Sequence, residues 1–220
     1  MTISITELSS YIGVTPATIE RWVRQGRIPA SRSKDNFRFR IQDVEKWASR
    51  QNIQLNYPGS RRTEPVDGPS VKLSAAVKSG GIYYNVQGED KNGVLEAGLE
   101  IMENIPADFK QDVLERILER EKALSTGIGN GIAIPHPRDP LGYLAYPMVT
   151  ICFLNTPVDF HALDHQPVSM LIFLFSTSLS LHLPLLSSLS RCLKNHRFTE
   201  FLKTGPSLEN LVKEIEILEA

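Results

Sequence analysis

Ser125-Thr126-Gly127-Ile128-Gly129-Asn130-Gly131-Ile132-Ala133-Ile134-Pro135-His136 sets three alternate glycines, a short apolar run and a proline directly before one histidine. Glycines at such spacing let a backbone turn sharply and come close to an anion. Ile132-Ala133-Ile134 reads as a short buried strand, which Pro135 ends. A loop able to hold oxygens, followed by a rigidly placed imidazole, suits a phosphoryl group accepted on nitrogen. A free imidazole titrates near ~6.5, so its nucleophilic nitrogen is available around neutrality. Phosphoryl transfer then asks mainly for positioning and charge stabilisation. The same residues also make a plain glycine turn into a strand with a surface histidine behind it, and a glycine-rich loop alone does not separate the two readings.

Other residues bear on that chemistry. Arg120 lies near the end of the helix that precedes the loop, where a guanidinium can fold back and hold phosphoryl oxygens in a bidentate fork, or sit in a solvated ion pair. His182 opens a late helix, whose N-terminus favours an anion. Its ring can orient His136 or donate to the phosphoryl group. Thr126 offers a hydroxyl, and Gly127, Gly129 and Gly131 offer backbone, for phosphate binding. His161 and His165 have the spacing of a metal pair on a helix, but their segment, with Asp164 and Pro167, reads as loop. With no third ligand evident, they are read as surface histidines, and neither a metal nor a cofactor is expected. Cys152 and Cys192 lack CxxC spacing and stand in apolar contexts, so buried free thiols are expected.

The elements that must position these groups fall into two parts of opposite charge. Residues 1–62 carry eleven Lys and Arg against five Asp and Glu, a net +6, which leaves −7 for the rest of a chain whose total is −1. A basic module suited to nucleic acid, joined to an acidic domain, explains such asymmetry. Ser4-x-x-Glu7 is a capping box before the stripe Ile5, Leu8, Tyr11, Ile12. Gly13 ends that helix. Thr15-Pro16 starts a second, with Ile19, Trp22 and Val23 inward and Gly26 as its stop. Two short helices joined by a tight turn have helix-turn-helix geometry. Phe37-Arg38-Phe39-Arg40-Ile41 alternates as a half-exposed strand does, and a last helix begins near Asp43. Arg21 and Arg24 are candidates for base or phosphate contacts, with Thr18 near the start of the recognition helix. Arg38 and Arg40 are placed to track phosphates. Trp22 and Trp47 are read as core.

Residues 52–71 are rich in Pro, Gly, Asn, Arg and Ser and read as a linker, spanning about 25 Å root-mean-square if flexible. Beyond them, strands are expected near 81–86, 132–134, 147–154 and 168–175. Helices are expected around 94–102, from Pro106 through Leu118, and near 180–194 and 207–218. This mixture implies an α+β fold with helices layered on a mixed sheet. The longest apolar run, Met170 to Phe175, is far too short to span a bilayer, and the N-terminus lacks a secretion signal. A cytoplasmic protein without membrane insertion is expected.

Gly-Ile-Gly-Asn-Gly-Ile-Ala-Ile-Pro-His resembles the active-site motif of the fructose/mannitol/nitrogen-type IIA proteins of the bacterial sugar phosphotransferase system. Arg120-Glu121 matches the Arg-Glu pair that precedes the loop in that family. Phe160, Ala162, Asp164, Pro167 and Val168 match its Phe-x-Ala-x-Asp-x-x-Pro-Val pattern. His182, Leu183 and Leu186 match its His-Leu-x-x-Leu. The likeness runs over residues 72–220, with two departures: His165 stands where the family has glycine, and Pro137-Arg138-Asp139-Pro140 is more rigid than the usual continuation. The resemblance implies a mixed sheet sandwiched between helices, and phosphorylation of His136 by HPr or its nitrogen-branch counterpart. Residues 1–51 resemble the excisionase or MerR-type winged helix-turn-helix, through Leu8, Gly13-Val14, Thr18-Ile19, Trp22, Gly26, Ile28-Pro29, Arg38-Phe39, Asp43-Val44 and Trp47.

Together these point to a two-domain regulator: a IIA-like phosphohistidine carrier whose state is reported to transcription through double-stranded DNA. Two other arrangements fit the same residues. One is a plain phosphocarrier to a IIB protein, with an N-terminal docking module. The other is a DNA-binding protein whose IIA-like part no longer transfers phosphate. On charge alone, a phosphoryl group on the acidic part draws the basic part away from DNA.

Overall fold

The computed structural model describes residues 1–33, 36–50, 53, 55–58 and 71–219. The chain divides into two compact units, Met1–Gly68 with Leu141–Ala145, and Pro69–Pro140 with Tyr146–Ala220.

In the first unit, β1 (Thr2–Ser4) is followed by α1 (Ile5–Ile12), α2 (Pro16–Arg24), β2 (Ser31–Ser33), β3 (Asn36–Arg40) and α3 (Ile41–Arg50). The capping box closes at both ends. Ser4 Oγ accepts the Glu7 N–H at 3.2 Å and Glu7 Oε2 accepts the Ser4 N–H at 2.8 Å, which satisfies two donors that the helix cannot. Gly13, at φ 81°, turns the chain out of α1. Thr15 caps α2 through the Thr18 N–H, with Pro16 in its first turn. β3 is the central strand, antiparallel to β1 and β2. Its alternation holds: Phe39 is buried opposite Ile3, and Arg38 and Arg40 are exposed. Ile3, Leu8, Ile12, Ile19, Trp22, Phe39, Val44 and Trp47 form the core. The two indole rings lie 5.8 Å apart, so both tryptophans are core residues. Each large apolar side chain buried here stabilises the unit by roughly 1.5–3 kcal/mol.

Within the segment expected to be linker, residues 53 and 55–58 pack on the first unit. The Ile53 N–H donates to the Ala48 carbonyl and the Asn56 N–H to the Tyr11 carbonyl, each at 2.8 Å. Tyr57 packs on the Tyr11 ring and donates its hydroxyl to Glu45. Residues 53 and 55–58 thus strap onto the first unit, because one buried isoleucine and one aromatic pair hold an otherwise polar stretch. Residues 52, 54 and 59–70 of the expected linker lie outside the described residues.

The second unit is α+β. Its elements are α4 (Leu73–Gly80), β4 (Ile82–Val86), α5 (Lys91–Glu100), α6 (Ala107–Ala123), β5 (Gly127–Gly129), β6 (Ile132–Ala133), β7 (Met148–Val158), β8 (Val168–Phe175), α7 (Leu179–Lys194), α8 (His196–Lys203) and α9 (Leu208–Glu219). The strands form one mixed sheet in the order β4-β7-β8-β6-β5. β4/β7 and β6/β8 pair parallel, β7/β8 and β5/β6 antiparallel. β8 is a nearly continuous apolar run because it is buried on both faces. On one face Ile132, Ile134, Ile151, Ile172 and Leu174 pack with Val77, Leu185, Leu202 and Ile215 of α4, α7, α8 and α9. The other face carries Cys152 and Phe173. There α5 approaches so closely that a Cβ on Gly98 would lie 2.8 Å from the Phe173 ring. Cys152 and Cys192 are free and buried. Among the described residues no helix is long and apolar enough to cross a membrane.

Candidate functional site

His136 stands just beyond β6, in the chain that leaves the sheet through Ile134 and Pro135. The Pro135 carbonyl accepts the Leu174 N–H at 3.1 Å, which ties this exit to the end of β8. The ring bonds through Nδ1 to the Ile134 carbonyl at 2.7 Å. A carbonyl only accepts, so Nδ1 carries the hydrogen and donates it, and Nε2 keeps its lone pair. Burial holds the imidazole below its ordinary titration range, and the charges of Arg120 and His182 add to this. The Ile134 carbonyl and the Glu121 charge pull the other way. The half-buried ring therefore stays neutral, and nucleophilic, at lower pH than a free histidine.

His182, in the first turn of α7, faces it. The ring centroids are 5.5 Å apart with planes at 44°. Its Nδ1 pairs with Ser176 Oγ at 3.0 Å, and burial lowers its titration as well. Both imidazoles are thus anchored through Nδ1, leaving the two Nε2 atoms for a shared group. Ser176 is buried just past β8. Sequence reasoning passed over it; the one local signal is a serine directly after a buried strand and six residues before the histidine.

Arg120 lies in the last turn of α6 and donates from Nη1 to the Leu124 carbonyl at 2.7 Å. It also lines an open cavity of about 400 Å³ with Arg116, Glu119, Arg138 and Asp139. Two carboxylates among three guanidiniums leave that cavity without a strong preference for anions.

The glycine stretch differs most from its sequence expectation. It is a β-hairpin rather than an open loop. β5 and β6 pair antiparallel around Asn130-Gly131, at φ 55° and 76°, the left-handed pair that a tight two-residue turn requires. Three amides that a phosphate cradle would use donate elsewhere: Thr126 to Glu121, Gly127 to Ser125 Oγ and Asn130 to Asp164. The Thr126 hydroxyl, expected to face phosphate, is buried and donated to Glu121 Oε2 at 2.6 Å.

The Phe160–Val168 segment explains the glycines. A Cβ on Gly127 would meet Ala162 Cβ at 2.9 Å, and one on Gly129 would meet Asp164 Oδ2 at 2.9 Å. Phe160 is buried, and its carbonyl accepts from Ser125 Oγ at 2.5 Å. Asp164 Oδ2 accepts the Asn130 N–H at 2.8 Å and Oδ1 the Gln166 N–H at 3.1 Å; these amides hold its carboxyl below the usual range. His165 adopts φ 56°, a left-handed conformation that explains why glycine suits this position. His161 and His165 are exposed on this loop, with His161 Nδ1 at 2.8 Å from Asp159. Among the described residues no group of three or more His, Cys, Asp or Glu could hold a metal.

In the first unit, Arg24 is exposed and paired with Glu20 at 2.8 Å, and Arg38 and Arg40 project from β3. Arg21 is half-buried. Thr18, expected near base edges, is buried with its hydroxyl on Thr15 at 2.9 Å. It serves the helix cap instead.

Comparison with known proteins bears on both units. Residues 76–217 match the family described as phosphoenolpyruvate-dependent sugar phosphotransferase system, EIIA 2, and residues 2–52 match a helix-turn-helix domain. The chain is similar to the nitrogen regulatory protein of Pseudomonas aeruginosa, with 35% identity over 144 residues, 64% of this chain and 92% of that protein. The nitrogen regulatory protein of Escherichia coli K12 is 34% identical over 144 residues, 64% of this chain and 88% of that protein. Among solved structures, nitrogen regulatory protein IIA-Ntr from Neisseria meningitidis is 28% identical with a TM-score of 0.54, covering 65% of this chain and 94% of that one. A IIA domain from Streptococcus pyogenes, at 17% identity and a TM-score of 0.51, shares the fold.

Proposed function

This chain belongs to the EIIA 2 family of the phosphoenolpyruvate-dependent sugar phosphotransferase system through residues 76–217, and we propose that it is a phosphocarrier-regulator that takes a phosphoryl group on His136 and couples it to DNA binding. The observation that carries the reading is the pair of facing imidazoles, with the His136 Nδ1–H on the Ile134 carbonyl. The Nε2 lone pair attacks phosphorus of a phosphohistidine on an HPr-like carrier. The new N–P bond forms as the donor's N–P bond breaks, and its electron pair returns to the donor ring. His136 keeps its Nδ1 hydrogen, so its ring gains positive charge, which the Ile134 carbonyl and the Glu121 carboxylate oppose. His182 orients the phosphoryl oxygens. Arg120 supplies positive charge, on leaving the Leu124 carbonyl for the transferring group.

A protein donor needs a surface on which to dock. Leu163 is 89% exposed, and Leu179 and Leu183 are each 68% exposed, on the loop beside the hairpin and on the turn that carries His182. Apolar side chains this exposed, on the elements that build the site, suit a transient protein partner. A IIB protein is the corresponding acceptor if phosphate is passed on.

The first unit binds duplex DNA through Arg21, Arg24, Arg38 and Arg40, on the +6 charge of residues 1–62. Because the ring keeps its Nδ1 hydrogen and turns positive, the transferred phosphoryl group adds a net charge of only about −1 to the acidic part, and it weakens that binding, most at low salt. The test incubates the full chain with phosphorylated HPr-type carrier, with and without His136→Ala, then measures DNA affinity across a salt series. Acid-labile label that depends on His136, with weaker DNA binding after labelling, is expected. Undiminished label in His136→Ala overturns the acceptor assignment. Tighter DNA binding by the phosphorylated form overturns the electrostatic coupling.

A further inference from the structure

We propose that Glu121 is a positioning residue for phosphoryl transfer, clamping the hairpin that carries His136; this rests on the reading of His136 as acceptor. The carboxylate is only 4% exposed. Its Oε2 accepts both the Thr126 N–H at 2.9 Å and the Thr126 hydroxyl at 2.6 Å, and its Oε1 lies 3.3 Å from Lys91 Nζ at the start of α5. Thr126 then holds the next link, its carbonyl accepting the Ile134 N–H at 3.0 Å. Ile134 in turn accepts the His136 Nδ1–H at 2.7 Å. Two residues therefore separate the buried carboxylate from the imidazole, and each link is a short, directed hydrogen bond.

The placement is poor for stability by itself. Glu121 lies in the last turn of α6, which ends at Ala123, where the helix dipole disfavours negative charge. Burial adds a desolvation penalty that one lysine and one threonine offset only in part. A neutral or apolar residue would suit a purely structural role better. What the carboxylate adds is a fixed Thr126, and so a fixed Ile134 carbonyl. It also sets a negative charge near a ring that becomes positive as the N–P bond forms. Groups bearing on that ring also include Arg120 and His182, which oppose Glu121 in its titration.

The experiment uses the full chain. Glu121→Gln keeps length and one acceptor but removes the charge. Its kcat for phosphoryl acceptance from phosphorylated HPr-type carrier is expected to fall at least about tenfold, as misplacement of a reacting group does, with KM unchanged. The His136 ring, followed by NMR, is expected to titrate at lower pH than in the wild type. Thr126→Val, which loses only the hydroxyl, lowers kcat in the same direction, and Thr126→Ser restores it. A folded Glu121→Gln chain with wild-type kcat and an unmoved His136 titration overturns the proposal. If Glu121→Gln does not fold, wild-type kcat in Thr126→Val overturns it. If the wild-type chain takes no label yet its His136 titration still shifts on Glu121→Gln, the acceptor reading fails while the positional link stands.

Discussion

Gly127→Ala tests why the glycines precede His136. The added Cβ would lie 2.9 Å from Ala162 Cβ, 3.2 Å from Ala162 Cα and 3.3 Å from Ser125 Oγ. Carbon atoms in ordinary contact sit about 3.5–4.0 Å apart, so the hairpin and the Phe160–Val168 segment must separate by roughly 0.6–1.1 Å. Overpacking of this size costs about 1–3 kcal/mol. In a unit of this size each kcal/mol lowers Tm by about 2–4 °C, so a fall of roughly 2–12 °C is expected. Separation also pulls Asp164 from the Asn130 amide, now at 2.8 Å, and phosphoryl acceptance should fall with stability. Ala162→Gly removes the facing Cβ. Alone it costs about 1–2 kcal/mol, from a lost buried methyl and a freer unfolded chain. Combined with Gly127→Ala it should recover at least about 1 kcal/mol relative to the sum of the single changes. Rescue stays partial, because Ala162 Cα remains at 3.2 Å. The assay is thermal unfolding of the four chains beside their rates of phosphoryl acceptance. Additivity within about 0.5 kcal/mol would falsify the close-approach account. So would a Gly127→Ala chain that loses transfer at unchanged Tm, the result expected if the glycine exists to admit phosphate.

Three further outcomes follow from the same geometry. Burial lowers the His136 and His182 titrations, so between those lowered values and the ordinary ~6.5 the unfolded chain binds more protons than the native one. Stability should therefore fall as pH drops through that window, and less steeply in His136→Ala; a urea midpoint that rises on acidification through it refutes the assignment. His165 sits at φ 56°, so His165→Val should lower stability by about 1–2 kcal/mol while His165→Gly leaves it within about 0.5 kcal/mol or raises it, as read from denaturant midpoints; equal stability of the two variants contradicts the strain. If the exposed Arg40 of β3 contacts a phosphate, Arg40→Ala should reduce the slope of log affinity against log salt by about 0.9 on duplex DNA, and an unchanged slope removes Arg40 from the interface.

Much of this protein was legible in the order of its residues because the controlling forces are local. Ser4 and Glu7, or Thr15 and Pro16, act within one helical turn, so their caps can be read without knowing what packs nearby. The apolar run at 168–175 announces a buried strand wherever its neighbours lie. The charge of residues 1–62 needs no fold at all. Asn130-Gly131 is equally local and marks a hairpin, although three glycines before a histidine are also compatible with an anion-binding loop. Leu73–Gly80 and His196–Lys203 escaped because short helices with mixed small and polar residues take their stability from docking on a sheet. The site itself is non-local. Asp164 reaches Asn130 across 34 residues, and although the bonds of Glu121 to Thr126, Ser176 to His182 and Ile134 to His136 are each made within a few residues, only the meeting of β6, β8 and α7 brings the two imidazoles face to face. Sequence named the two histidines; tertiary structure decided which ring nitrogen is free, because only a folded carbonyl fixes where the proton resides.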